Sequence, residues 1–205
     1  MIKLNRNDQC LCGSGKKYKK CCYLDSVKNA EILRAISMGK TNEEVFSILT
    51  KPALIYQIKI DLIRMTFDTI EEEISRVIEV NDKQTLYDLH LAVQNLFGWD
   101  NDHMFSFYLG EELFDRANEY SGNPLGEHNN PSFGQSTKSA ADTELRDLDL
   151  SVDFSFWYLF DYGDELVHKV TVEKIREMVP GENGFPNLID KTGTPPSQYE
   201  DFDDE

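Results

Sequence analysis

All four cysteines of this chain of 205 residues lie in one short stretch near its start. They are Cys10, Cys12, Cys21 and Cys22, in the spacing C-x-C-x8-C-C. Thiolates suit zinc in structural sites, where four of them surround the ion tetrahedrally and leave no open coordination position. The spacing therefore predicts one structural Zn²⁺ on these four cysteines.

The residues between the two cysteine pairs favour a compact metal-binding knuckle. Gly13-Ser14-Gly15 supplies two glycines, which adopt positive φ angles at little cost and permit a tight turn. Four lysines follow, and positive charge beside a thiol favours the ionised sulfur. They are Lys16, Lys17, Lys19 and Lys20. Because so short a segment has almost no apolar core, we expect the metal to supply its folding free energy.

Disulfides are the alternative for four clustered cysteines. They persist in oxidising compartments, whereas the first residues, Met1 to Arg6, lack the apolar run of a secretory signal. Cys21 and Cys22 are adjacent in sequence and make poor disulfide partners for each other. We therefore expect reduced, metal-binding thiols in a cytoplasmic protein.

The stretch from Arg6 to Cys22, RNDQCLCGSGKKYKKCC, resembles the SEC-C motif, a zinc knuckle first noted at the C-terminus of the SecA translocation ATPase. Gln9 stands where that family often has proline, a change that should not affect ligation. The resemblance implies zinc on the four cysteines and a module that docks onto protein or ribosomal partners. It does not imply catalysis.

A second group of residues with metal-binding or acid–base chemistry lies in the later part of the chain. Its members are His103, Asp161, Asp164 and His168. Two imidazoles and two carboxylates, if the fold unites them, could hold a second metal or act as acid and base. The alternative for both aspartates is structural, since aspartate in a tight turn bonds its own backbone. His90 lies on the apolar stripe of a predicted helix, which favours a hydrogen-bonded core histidine.

The charge of the chain is unevenly distributed. The net charge is −16, but residues 1–22 carry six basic residues and one acid, so this stretch is +5 and the remainder is −21. Because nucleic-acid affinity depends largely on phosphate neutralisation, the acidic remainder makes DNA an unsuitable partner. The lysines of the knuckle could contact a phosphate backbone, although four thiolates with Zn²⁺ would reduce its charge to +3. No apolar run approaches the roughly 20 residues of a membrane helix.

The rest of the chain predicts an α+β protein. We expect a zinc knuckle at residues 1–24, a helical linker at 25–53, an α+β domain at 54–200 and an acidic tail at 201–205. In the linker, Ser26 is the expected cap of a first helix with Leu33 facing inward, and Thr41-Asn42-Glu43-Glu44 is a capping box that opens a second.

Periodicity divides the α+β domain into strands and one helix. Apolar alternation over Leu54–Met65 indicates a half-buried strand. Helical spacing after Thr85 indicates a helix with Thr85 as its expected N-cap and Gly98 as its end. Further expected elements are strands at Ile74–Val80, His103–Leu109, Val152–Phe160 and Leu166–Ile175, a helical turn at Thr143–Leu148, a long surface loop at Asn118–Ala141 and a non-periodic end after Pro180. This order predicts a mixed or antiparallel sheet with one helix packed across it.

From about Leu54 onward the chain resembles the plasmid pRiA ORF-three-like family, a bacterial and archaeal domain of unknown function. The matching stretches are Thr85–His90, Phe97–Trp99 with His103–Phe107, Phe160–His168, and Phe185-Pro186 with Thr194–Tyr199. Phe160 and Leu166 replace two aromatic residues of the family signature by other apolar residues. The resemblance covers about residues 54–200 and indicates the fold more than the role.

Three functions are consistent with these features. The first is a cytoplasmic zinc-binding interaction protein, whose knuckle docks a protein or ribosomal partner. The second is a metal-assisted enzyme that uses the histidine–aspartate group of the α+β domain. The third is an RNA- or ribosome-associated accessory factor that binds through the four knuckle lysines.

Overall fold

The structure, a computed structural model, describes residues 3–127 and 137–199. The chain divides into two compact units, Met1–Pro52 and Ala53–Glu205. The acidic tail expected at residues 201–205 lies outside the described residues, as does Glu200 at the expected end of the α+β domain. Within the described ranges, no helix has the length and apolar composition needed to cross a membrane.

The first unit contains the cysteine stretch and two helices, α1 Ser26–Ser37 and α2 Asn42–Thr50. Helix α2 begins with the predicted capping box, in which Thr41 and Glu44 bond each other's backbone amides. The predicted position of the α1 cap was wrong by one residue. The side chain of Asp25, rather than Ser26, accepts a hydrogen bond from the Lys28 amide at 3.1 Å, because aspartate at this position reaches the free amides of the first turn.

Six buried residues form the core of the first unit, three from the cysteine stretch and three from the helices. They are Cys10, Tyr18, Cys22, Ile32, Ala35 and Val45. Leu33, expected to face inward, is 56% exposed because Ile32 and Ala35 define the buried face of α1. The helical pair therefore supplies the apolar residues that the knuckle lacks.

The second unit contains one α-helix, α3 Leu86–Phe97, and nine strands within the described part of the chain. The strands are β1 Leu54–Met65, β2 Asp68–Thr69, β3 Ser75–Asn81, β4 Phe105–Tyr108, β5 Glu119–Gly122, β6 Lys138–Ser139, β7 Ser155–Phe160, β8 Leu166–Glu177 and β9 Asn187–Thr192. As predicted, Thr85 caps α3 and Gly98 ends it, at a φ of +75°.

The strands form one mixed sheet in the order β6-β5-β4-β7-β8-β1-β3-β9, with β2 paired to β1. Every pair is antiparallel except β5–β6, which is parallel. The large core joins apolar residues of α3, such as Leu89 and Val93, to alternate residues of the central strands, such as Ile58 and Tyr158. The predicted α+β class, with one helix against a sheet, is confirmed.

Three strands, β5, β6 and β9, occupy segments that were expected to be irregular, and the two-residue β6 lies in the expected surface loop with β5. Strand β5 lies inside the expected surface loop, and its Glu119, Ser121 and Gly122 are buried in the sheet. Strand β9 lies in the expected non-periodic end, where Arg76 holds it in place. The buried Arg76 donates to the carbonyls of Leu96 at 3.1 Å and Thr192 at 3.0 Å, so one guanidinium joins the end of α3 to β9.

Candidate metal centre

Local backbone hydrogen bonds bring the two cysteine pairs together. The Cys10 amide donates to the Lys16 carbonyl at 2.9 Å, which closes the knuckle around Gly13 and Gly15. Both glycines have positive φ, +75° and +70°, as the predicted tight turn requires. A 3-10 turn at Tyr18–Lys20 then directs the second cysteine pair back towards the first.

The four sulfur atoms form one cluster. Their ligand atoms all lie within 4.8 Å of one another, and Cys12 Sγ is 3.5 Å from the Sγ atoms of both Cys10 and Cys21. Four sulfurs at the usual zinc–thiolate bond length would be about 3.8 Å apart in a tetrahedron, so the cluster fits a metal ion of this class. In residues 3–127 and 137–199, no other set of three or more Cys, His, Asp or Glu ligands is gathered this closely. None of the four cysteines forms a disulfide.

The four thiols differ in exposure and in protonation. Cys10 and Cys22 are buried, at 5% and 2% exposure, whereas Cys12 and Cys21 are half-buried. Burial raises the pKa of Cys12, but hydrogen bonds from Ser14 and from the neighbouring thiols outweigh burial and lower this pKa to about 6. Burial raises the pKa of the Cys22 thiol, and the adjacent Cys10 and Cys12 raise it further. Binding of a metal to all four must therefore release protons.

Two contacts join the knuckle to the helices within the first unit. The Tyr18 hydroxyl donates a hydrogen bond to Asn29 Oδ1 in α1. Gly13 lies against the ring of Phe46 in α2, so closely that an added Cβ would be 2.6 Å from Phe46 Cε2. Sequence reasoning missed both contacts, because neither Asn29 nor Phe46 belongs to a pattern with the knuckle.

The knuckle lysines lie at the surface of the first unit. Lys16, Lys17 and Lys20 are exposed and Lys19 is half-buried. Nearby, the guanidinium carbon of Arg6 lies 4.7 Å from the ring centre of Tyr23. These side chains add positive charge to the surface of the first unit.

The structure brings together part of the second predicted group. His103 Nε2 lies 3.4 Å from Asp161 Oδ2 and 3.7 Å from Asp102 Oδ1. The Tyr199 hydroxyl is 3.2 Å from the same nitrogen and donates to Asp102 Oδ2. Gln198 also contacts Asp102, through its side-chain amide at 3.0 Å.

Asp161 also forms a structural turn with Asp164, and His168 lies in the core. Asp161 Oδ1 accepts the Gly163 and Asp164 amides at 2.8 and 3.4 Å, which is the backbone-bonding alternative considered for this turn. His168 is fully buried among the rings of Phe97 and Trp99, and burial lowers its pKa to about 3.

His90 is the hydrogen-bonded core histidine that its position predicted. Its Nδ1 lies 2.7 Å from the Tyr158 hydroxyl, and its Nε2 lies 2.8 Å from Asn101 Oδ1. Burial lowers the pKa of His90 to about 4, although the bond with Asn101 opposes this change. The neutral imidazole is therefore part of the core packing.

Sequence reasoning missed Asp102, Gln198 and Tyr199 as neighbours of His103. The signal was present in the resemblance, because the stretches around Trp99, Asp161 and Gln198 all belong to it. The structure brings these stretches together: the Trp99 indole donates to the Pro196 carbonyl at 3.3 Å, and the Asp100 amide donates to Gln198 Oε1 at 2.6 Å.

Curated relatives match this chain over stretches of very different length. An uncharacterized protein, y4hQ, of Sinorhizobium fredii is 26% identical over 136 residues, which are 66% of this chain and 63% of that protein. This chain thus spans less than two thirds of that relative. A UPF0225 protein of Vibrio cholerae is 81% identical over 21 residues, 10% of this chain and 14% of its own length. A UPF0225 protein of Geobacter sulfurreducens is 80% identical over 20 residues, 10% of this chain and 12% of its own length.

A solved structure has the same fold over most of its length. It is a protein of unknown function, MM3350, from Methanosarcina mazei Go1, with a TM-score of 0.56 and 21% identity over 72% of this chain and 75% of that one. The SEC-C motif matches residues 6–24, and the family described as Plasmid pRiA4b ORF-3-like protein matches residues 55–203. The chain therefore carries an N-terminal SEC-C motif and belongs to the plasmid pRiA4b ORF-3-like protein family.

Proposed function

We propose that this protein is a zinc-binding interaction protein whose first unit is a metal-folded docking module. The observation that carries the proposal is the convergence of Cys10, Cys12, Cys21 and Cys22 into one cluster of tetrahedral dimensions. Four thiolates would complete the coordination of one Zn²⁺ and leave no position for a substrate, so the ion's role is structural. Reduced thiols suit a cytoplasmic location.

The proposed partner is a protein that contacts the surface of the first unit. Exposed Lys16, Lys17 and Lys20 favour an acidic partner surface, and the ribosome offers a polyanionic alternative. Salt weakens binding to either surface, but it weakens binding to an RNA backbone more steeply, because each neutralised phosphate releases a counterion. The −21 charge outside residues 1–22 argues against DNA.

Metal content per chain tests the proposal directly. Elemental mass spectrometry of the purified full chain should give one zinc per chain. The double variant Cys21→Ser, Cys22→Ser should contain none, because two thiolates do not complete a structural zinc site. A metal-free wild type, prepared under reducing conditions with zinc supplied, would reject the proposal.

A metal-assisted enzyme is the second candidate, and the 3.4 Å approach of His103 Nε2 to Asp161 Oδ2 favours it. Asp161 Oδ2 next to an exposed imidazole could orient that ring as a general base or hold an ion with it. The same measurement separates the candidates. A second metal equivalent that survives in the double cysteine variant and is lost in His103→Ala would support the enzyme.

A further inference from the structure

The two half-buried thiols of the cluster face each other across the knuckle. Cys12 Sγ and Cys21 Sγ are 3.5 Å apart, and both residues retain solvent exposure. Cys10 and Cys22 are instead sealed in the core of the first unit. An oxidant that reaches the cluster from solvent therefore meets Cys12 and Cys21 first.

Chain geometry also favours this pair over the two combinations of cysteines that are near neighbours in sequence. Cys10 and Cys12 are separated by one residue, and Cys21 and Cys22 are adjacent, so a disulfide within either pair would close a small ring. Cys12 and Cys21 are nine positions apart, and the folded knuckle already holds their sulfur atoms close together. A disulfide between them therefore needs no small ring.

We propose that Cys12 and Cys21 are a peroxide-oxidised pair whose disulfide releases the metal and loosens the helical pair. The inference rests on the proposed function, since it requires a loaded centre. The Cys12 thiolate attacks one peroxide oxygen, and the O–O bond breaks. Hydroxide departs, and Cys12 becomes a sulfenic acid. The Cys21 thiolate then attacks that sulfur, forms the S–S bond and displaces a second hydroxide. Two electrons pass from sulfur to the two peroxide oxygens, and solvent protons convert both hydroxides to water.

Loss of the metal should destabilise the helices, because the knuckle and the helices share one small core. Cys10, Tyr18 and Cys22 pack with Ile32, Ala35 and Val45, and the knuckle meets α2 where Gly13 contacts Phe46. Two thiolates, Cys10 and Cys22, remain after oxidation and cannot complete a four-ligand site. The expected consequence is partial unfolding of α1 and α2 rather than local change at the knuckle alone.

The test uses the full chain loaded with one zinc, hydrogen peroxide as the oxidant, and a chromophoric chelator that reports free metal. We expect one zinc released for each two thiols lost, a Cys12–Cys21 disulfide by peptide mass spectrometry, and a parallel fall in helical circular dichroism. Reductant with added zinc should restore all three. Retention of the metal at peroxide concentrations that oxidise free cysteine, or a disulfide mapped mainly to another pair, would overturn the proposal.

A variant outside the ligand set sharpens the test. Ser14 Oγ lies 3.1 Å from Cys21 Sγ, and a hydrogen bond there stabilises the sulfur against oxidation. In the zinc-loaded centre the sulfurs are already ionised, so Ser14→Ala removes only the stabilisation of the sulfur, and zinc release should be about fivefold faster, the effect of losing one hydrogen bond. An unchanged rate would count against oxidation at Cys21. Because metal content is measured before peroxide is added, a metal-free protein rejects the proposed function, whereas a loaded and peroxide-resistant protein rejects only this inference.

Discussion

The two units of this chain differ in the size and the composition of their cores. In the described residues, the first unit has a core of six buried residues, two of which are cysteines, whereas the main core of the second contains 23 buried residues. A segment of about 50 residues buries too little apolar surface to be secure without a metal or disulfides, and a sheet unit three times longer does not need them. Metal dependence should therefore be confined to the first unit.

Metal removal gives the largest expected effect and tests this contrast directly. A strong chelator should abolish most helical signal from α1 and α2, because the thiol cluster supplies much of their core. The second unit should stay folded. Both tryptophans, Trp99 and Trp157, lie in it, so their fluorescence reports on the sheet unit alone while far-ultraviolet circular dichroism reports on both units.

Two results would contradict metal dependence that is confined to the first unit. A chelator that shifts tryptophan emission to that of the unfolded chain would show that the sheet unit also depends on the metal. Unchanged circular dichroism with metal fully removed would show that Ile32, Ala35 and Val45 hold the helices without it.

The sequence predicted the elements that carry a local signal. Cysteine spacing identified the cluster, and periodicity with caps identified α3 and β1. Strand β9 carries no such signal, because all six of its residues are exposed at a sheet edge and its partner β3 lies about a hundred residues earlier. Strand β5 is missed for another reason: its buried Glu119 and Ser121 are polar and are stabilised by hydrogen bonds to Ser106 and Thr137.

The same distinction applies to the candidate sites. All four cysteines lie within one turn-rich stretch, so their meeting follows from local geometry. The grouping of His103 with Asp102, Asp161 and Tyr199 depends on three distant segments meeting. The sequence could identify His103, Asp161 and His168 as residues able to bind a metal or transfer a proton. Only the folded structure shows that His168 lies in the core, away from the other two.

Acid should weaken the sheet unit through its buried histidines, independently of the thiols. Folding keeps His168 neutral, with a pKa of about 3, whereas the unfolded chain protonates this residue near pH 6.5. The unfolded state thus binds more protons as the pH falls through this window, and stability declines. At pH 4.5 the loss from His168 is about 2–3 kcal/mol relative to pH 7. Urea unfolding followed by tryptophan fluorescence measures it.

A matched pair of substitutions isolates this contribution. His168→Leu should remove about half of the acid dependence that the buried histidines give the unfolding free energy, because leucine leaves the site apolar and non-titrating while His90, with its pKa lowered to about 4, keeps its own contribution. His103→Leu is the matched control, because it removes a histidine whose side chain is 44% exposed and lies outside the core. Equal slopes for wild type and His168→Leu would assign acid lability to other groups.

The smallest expected effect tests whether the knuckle and α2 act as one structure. Gly13 and Gly15 have nearly the same positive φ, but only a Cβ at Gly13 would strike Phe46, while Gly15 has open space within 4 Å. Gly15→Ala should cost about 1 kcal/mol of backbone strain. Gly13→Ala should cost about 1 kcal/mol more because the Phe46 ring must move. Zinc competition with a chelator should thus show affinity roughly fivefold weaker for Gly13→Ala than for Gly15→Ala. Equal zinc affinities would mean that α2 can move away from the knuckle without weakening metal binding. The knuckle and α2 would then not fold as one structure.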